Sequence, residues 1–223
     1  MNRHCHAGIR IIAPKSAIQF NVPLFIYGEV SWDISGMFSI NDYAQFNKRT
    51  VLEHDMRGYT INDFDQKEGL KVEDLNWYQL PSDEQFSKHK LKGIYLGNFI
   101  KWDPYKQTEL MKKLYNWKES KESFERTYRK ISNLDDMHEN GAHDYLKFVK
   151  FGYGRCSDHA SKDIRMGYIS REKGIELVKK YDHVKPTKDL KRWLEYTNIK
   201  EVEFYTFADT LRDKRVWSKN QND

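Results

Sequence analysis

A chain of 223 residues with 39% hydrophobic and 14% aromatic side chains can bury one sizeable core, or one domain with a helical appendage, which argues for a folded protein. Charged residues make up 32%, and 38 Lys and Arg against 33 Asp and Glu give a formal net charge of +5; diluted along the whole chain, that balance fits nucleotides or phosphorylated substrates as well as it fits nucleic acid. Only Cys5 and Cys156 occur, with no CxxC pair, so a disulfide framework is excluded and a reducing, cytoplasmic setting is expected, in keeping with apolar runs too short for a membrane span or a secretory signal.

Gly8 to Phe20 carries Ile9, Ile12, Ala13, Ala17 and Phe20 at helical spacing, with Pro14 expected to kink or restart the helix. The run Val22 to Tyr27 follows, rich in branched and aromatic residues and ended by Gly28. Its continuous apolarity predicts a strand covered on both faces, as in a parallel α/β sheet. A ligand of such a sheet sits beyond the carboxyl end of the strand, here Gly28-Glu29. Trp32 in the following loop, with Asp33, Ser35 and Gly36, offers a stacking surface for a base or sugar. Asn41 to Met56 reads as one polar helix stopped by Gly58, and short helical pieces follow around Val72 to Trp77 and Asp83 to His89.

A second strand is expected over Gly93 to Phe99. Asp103-Pro104 is a helix start, and the helix it opens is predicted to run to Trp117 and bury Leu110, Leu114 and Trp117. The rest reads as helical: Tyr145 to Lys150 stopped by Gly152, Arg171 to Tyr181 capped by Ser170, Lys188 to Tyr196 capped by Thr187, and Glu201 to Arg212 with Phe204, Ala208 and Leu211 on one face. The expected organisation is an α/β part over residues 1–100 and a mostly helical part over 101–223.

Chemistry concentrates in Phe151 to Arg165, FGYGRCSDHASKDIR. Gly152 and Gly154 permit close backbone approach to a ligand; Arg155, Lys162 and Arg165 can hold an anion; Asp158, His159 and Asp163 can accept or transfer protons. The competing reading is a surface loop between two helices with solvated charges. Glu29 likewise is either a carboxylate aimed into a crevice or a solvated turn residue. His4-Cys5-His6 could contribute to a zinc or iron–sulfur site, although further ligands are not evident and a buried helix-entry cysteine is the alternative. Asp135-Asp136, near His138, could hold Mg²⁺ or simply favour a helix N-terminus.

The segments Asp135-Asp136, Lys150 to Arg155, Ser157 to Arg165, Ser170-Arg171-Glu172, Ile175 to Val178 and Tyr181-Asp182 together resemble the C-terminal region of the N-acetyl sugar amidotransferases. These are PP-loop ATPases of lipopolysaccharide and other surface-polysaccharide biosynthesis. Cys5-His6 ahead of a helix, then Val22-Pro23-Leu24 through Gly28-Glu29, is similar to the same family. The resemblance implies an adenine-nucleotide α-hydrolase-like (Rossmann-like) parallel sheet followed by helices. It implies ATP and Mg²⁺ as cofactors, adenylation of the acetamido oxygen of an N-acetylated, nucleotide-linked sugar, and attack by ammonia from a glutaminase subunit to give an acetamidino group.

By the same resemblance Gly28 and Glu29 handle the nucleotide, Glu29, Asp158 and His159 take catalytic roles, and Gly152, Gly154, Arg155, Asp163 and Arg165 contact the substrate. Cys156 stands where the family commonly has alanine, which argues against a catalytic thiol. The family's Ser-Gly-Gly-x-Asp-Ser phosphate loop does not occur in these residues. The expectation is therefore a C-terminal part, whose N-terminal PP-loop half is supplied separately, with the Gly28-Glu29 corner and the glycine-arginine segment forming two walls of one cleft. A tRNA-modifying PP-loop relative and a non-catalytic sugar-nucleotide-binding subunit are the alternatives.

Overall fold

A computed structural model describes residues 3–29, 39–64, 67–132 and 137–218, with the side chains of residues 3, 4, 40, 68 and 137–139 left aside. The chain is mixed α/β and mostly helical, and divides into two compact units, Met1–Pro104 and Tyr105–Asp223.

In the first unit α1 (Arg3–Gln19) passes Pro14 without a break. Its buried face is Ala7, Arg10, Ile11, Pro14 and Ala17, at steps of three and four, while Ile9, Ile12 and Phe20 are exposed. The helix expected from Gly8 thus starts earlier and turns a different stripe inward. Strand β1 (Leu24–Tyr27) pairs in parallel with β2 (Lys92–Tyr95), Leu24 opposite Lys92 and Tyr27 opposite Tyr95; between them in sequence lies the short helix α2 (Asp83–Lys88), started by a Ser82–Gln85 capping box. This is a two-stranded sheet among the described residues.

Coverage of β1 corrects the sequence reading. Phe25 and Tyr27 are buried with Ala17, Tyr43 and Tyr95, whereas Leu24 and Ile26 are 44% and 54% exposed. Only one face of the strand is packed. Close packing on that face explains Gly93, where any side chain would collide with Phe25 and Phe46. The single polar helix expected over 41–56 is instead a 3₁₀ turn (Ile40–Tyr43) and, after a break at Phe46, a short α-helix (Lys48–Thr50) running into a π-helical turn (Val51–Asp55). The break is made by Phe46, whose N–H donates to the Gly93 carbonyl at 2.8 Å, and by Asn47, which caps the N–H of Arg49. The helical piece expected around 72–77 is a 3₁₀ turn, Asn76–Tyr78, and β2 ends at Tyr95 in another, Leu96–Asn98.

Helix α3 (Pro104–Tyr115) leads into the second unit, and it buries none of its residues. Leu110, Leu114 and Trp117, expected in the core, are exposed. Helix α4 (Met137–Phe151) begins earlier than expected and stops at Gly152, whose φ of +77° is a left-handed conformation suited to glycine. There a Cβ would also stand 2.5 Å from Val216. Helix α5 (Arg155–Arg165) starts at once, so most of the chemistry-rich segment is helix rather than loop.

Helices α6 (Arg171–Tyr181), α7 (Thr187–Thr197) and α8 (Glu201–Thr210) complete the unit. Ser170 caps α6 as expected, accepting from the Lys173 N–H at 3.2 Å. The cap of α7 comes from afar instead: the Glu125 carboxylate accepts from the Lys188 and Asp189 N–H groups and from Thr187 Oγ1. Helices α4, α7 and α8 share a core of Ala142, Tyr145, Val149, Leu190, Phe204 and Ala208. Helix α5 lies on α6, where Gly174 admits Ile164.

Candidate functional site

Helix α5 opens on Gly154, and its first turn is closed by a carboxylate from the end of α6. Asp182 accepts from the N–H of Gly154 at 2.9 Å, the N–H of Ser157 at 3.1 Å and the hydroxyl of Ser157 at 2.5 Å. The helix N-terminus that could attract an anionic ligand therefore already holds the chain's own anion. Gly154 is needed for this fit, since a Cβ would lie 2.9 Å from Arg126 Nη2 and 3.0 Å from Asp182 Oδ1.

The first residue of α5, Arg155, forms a two-pronged pair with Asp144 of α4, at 2.8 and 2.7 Å. Burial works against the Asp144 anion, but the hydrogen bond from His143 and the Arg155 guanidinium outweigh it and hold its pKa below the ordinary value. Asp158 pairs with Lys147 at 2.5 Å. Asp163 is completely buried and accepts from the hydroxyls of Tyr105 and Tyr128 and from the guanidinium of Arg129. Burial and the Asp163 bond together push the Tyr105 hydroxyl up to about 12.

His159 faces the irregular segment 124–132, with Nδ1 2.7 Å from Thr127 Oγ1. Burial, reinforced by the positive charges of Arg129, Arg155 and Lys162, pushes its pKa down to about 2. The imidazole is therefore neutral at physiological pH, able to give or take a hydrogen bond but not to carry charge. Thr127, Asn140, Asp144, Arg155, His159 and Asp189 all border a cavity of about 30 Å³. That is enough for a water molecule and too little for a hexose.

The residues singled out in the sequence thus fall into distinct environments. Arg155 and His159 come together at the cavity. Asp163 has no exposed surface, Gly154 is buried under Asp182, Gly152 is an exposed helix stop, and Arg165 is exposed at the far end of α5. Gly28 and Glu29 belong to the first unit. Glu29 lies 3.2 Å from the buried Arg10 guanidinium, which also reaches Asp55 at 3.7 Å and lies over the rings of Tyr27 and Tyr95. A Cβ at Gly28 would meet no neighbour, so packing does not demand glycine there.

One arginine between two carboxylates is a poor receptor for a polyphosphate, and the described residues at this strand end do not fit one. Cys5 is exposed, and among the described residues no group of three or more His, Cys, Asp or Glu comes together to hold a metal. Trp32, Asp33, Ser35, Gly36, Asp135 and Asp136, with the side chains of His4 and His138, lie outside the described residues. Arg10, Arg126, Thr127, Arg129, Asp144 and Asp182 were missed by sequence reasoning; apart from Asp182, which stands in a matching segment, no local signal marks them.

Residues 122–223 match the family model described as LPS biosynthesis protein WbpG-like, C-terminal domain. The matched stretch contains the whole cavity lining and the helices α4 to α8. It points to lipopolysaccharide biosynthesis. No curated protein matches the chain. Among the described residues no helix is long and apolar enough to cross a membrane.

Proposed function

We propose that the chain is the sugar-handling part of an ATP-dependent amidotransferase that converts the acetamido group of an N-acetylated, nucleotide-linked sugar into an acetamidino group in lipopolysaccharide biosynthesis. The observation that carries this reading is the family match over 122–223, which takes in the segment that resembles the sugar amidotransferases. The cavity supports it on chemical grounds. A neutral His159, Thr127 and Arg155 at the cavity offer uncharged and cationic donors to an amide oxygen.

ATP, with Mg²⁺, would supply the leaving group, since an amide oxygen by itself leaves poorly and AMP leaves well, and ammonia would come from a glutaminase partner. The phosphate-binding loop for that step belongs to a PP-loop half outside these residues, in an adenine-nucleotide α-hydrolase-like sheet. The bare outer face of β1 at Leu24 and Ile26 supports a further layer there. Asp163 and Gly154 act by holding α5 in place, and Asp158, Gly152 and Arg165 do not line the cavity.

Calorimetric titration of the folded chain with a UDP-linked N-acetylhexosamine and with its deacetylated counterpart tests the reading. The acetylated sugar should bind several-fold more tightly, and replacing His159 by Leu should abolish the preference. Equal affinity for the two sugars, or no binding, removes the proposal. Release of AMP by this chain alone, with ATP, sugar and ammonia, would overturn the assignment of the phosphate loop to another part.

A further inference from the structure

Helix α3 contradicts the usual logic of an amphipathic helix. Twelve residues long, it has no fully buried residue, and its half-buried side is made by Tyr105, Thr108, Met111 and Lys112. Tyr105 ties it to the unit: its hydroxyl donates to Asp163 at 2.7 Å, and its ring packs against Tyr168 and under the Arg129 guanidinium. On the other side Leu110 and Leu114, one turn apart, are 48% and 56% exposed. The helix ends where Asn116 takes a left-handed conformation (φ 52°), and Tyr115 and Trp117 at this end are 72% and 41% exposed.

Lysines outnumber carboxylates around this stripe, although Glu122 is exposed beside Lys121. Between residues 106 and 121 the acidic side chains are Glu109 and Glu119. Both are taken up by Lys112, at 2.8 and 2.9 Å. Lys113, beside Leu110 and Leu114 on the helix, and Lys118 and Lys121 just beyond it remain exposed and cationic. Two leucines, a tyrosine and a tryptophan bordered by lysines have the composition that lies in the plane of a bilayer interface. There the aromatic rings sit at headgroup depth and the ammonium groups meet anionic lipid.

We propose that α3 and the turn after it dock the protein reversibly on the anionic headgroup surface of a bilayer, without spanning it. The cationic border is what selects this occupant: an anionic surface complements Lys113, Lys118 and Lys121 while its acyl boundary takes up the leucines.

The test is co-sedimentation of the full chain with phosphatidylcholine vesicles, with and without phosphatidylglycerol. Binding is expected to the anionic vesicles alone and should fall steeply as salt shortens the range of the lysine charges. Replacing Lys113 and Lys118 by Ala should weaken partitioning roughly thirty-fold, from about 1 kcal/mol per lysine near an anionic surface. Leu110→Ser with Leu114→Ser should abolish it. Since none of these side chains is buried, circular dichroism and melting should match the parent in every variant, so lost binding cannot be assigned to unfolding. Failure to bind anionic vesicles overturns the proposal, as does equal binding to neutral ones. Light scattering that shows a dimer of the parent and a monomer of the leucine variant, with no vesicle binding, would assign the face to a second copy instead.

Discussion

Arg155 carries two roles in this structure, and its removal separates them. In the Arg155→Ala variant Asp144, whose side chain is 5% exposed, loses both hydrogen bonds of its two-pronged partner and keeps only His143 at 3.2 Å. Stripping one member of a buried pair costs about 3–5 kcal/mol, because the remaining charge is neither solvated nor compensated. That is a large share of the roughly 5–15 kcal/mol that holds a domain together. For a unit of this size it corresponds to a fall in melting temperature of about 10–20 °C.

The pH dependence gives the sharper check. In the parent, Asp144 has a depressed folded pKa. It therefore contributes stability above the unfolded value of about 3.9, and that contribution is lost as pH falls through the lowered folded value. In the variant the His143 hydrogen bond alone opposes burial and the folded pKa rises from its parent value, so the penalty is greatest at neutral pH and fades as the carboxyl becomes protonated. Urea unfolding of both proteins at pH 7 and at pH 4 should show the stability gap narrowing at the lower pH. A gap of the same size at both would refute the account. The double variant with Asp144→Leu should recover much of the loss, since a buried pair replaced by apolar groups is often neutral.

Two further outcomes follow from the same unit and from the two thiols. Asp182→Ala leaves the N–H groups of Gly154 and Ser157 without their acceptor at the start of α5. It should cost about 3 kcal/mol in urea unfolding, with Asp182→Asn intermediate; a loss below about 1 kcal/mol would show that water replaces the cap. Cys156 is fully buried, and burial together with the Asp182 charge pushes its thiol up to about 12. A disulfide reagent should therefore titrate the exposed Cys5 alone in the native protein and reach Cys156 only after denaturant is added; two fast thiols would contradict the packing around α5.

Elements set by local chemistry were legible in the sequence. Ser82 and Ser170 cap their helices, and Gly152 ends α4 with a positive φ, because each signal lies within a few residues of its effect. What depends on a distant partner was not legible. Apolar periodicity marks a face on α3 and on β1, but cannot show whether anything covers it, and Leu24, Ile26, Leu110 and Leu114 are exposed.

The same gap explains the reading of the glycine-arginine segment. Composition cannot distinguish a carboxylate that awaits a ligand from one already satisfied within the fold. Asp163 finds Arg129 and Tyr128 at 34 and 35 positions' separation, in an irregular stretch, and Tyr105 at 58, on a helix whose period does not reveal the partner. Asp144 and Asp182 are consumed in the same way. Of the charged and polar groups that first suggested a site, Arg155 and His159 reach the cavity, and they do so because Asp182, Asp163 and Asp144 fix the start, the middle and the neighbour of α5. The buried carboxylates are thus the frame of the site: a variant at any of them should disturb ligand binding only to the extent that it loosens α5, whereas a variant at His159 should disturb binding with the helix intact.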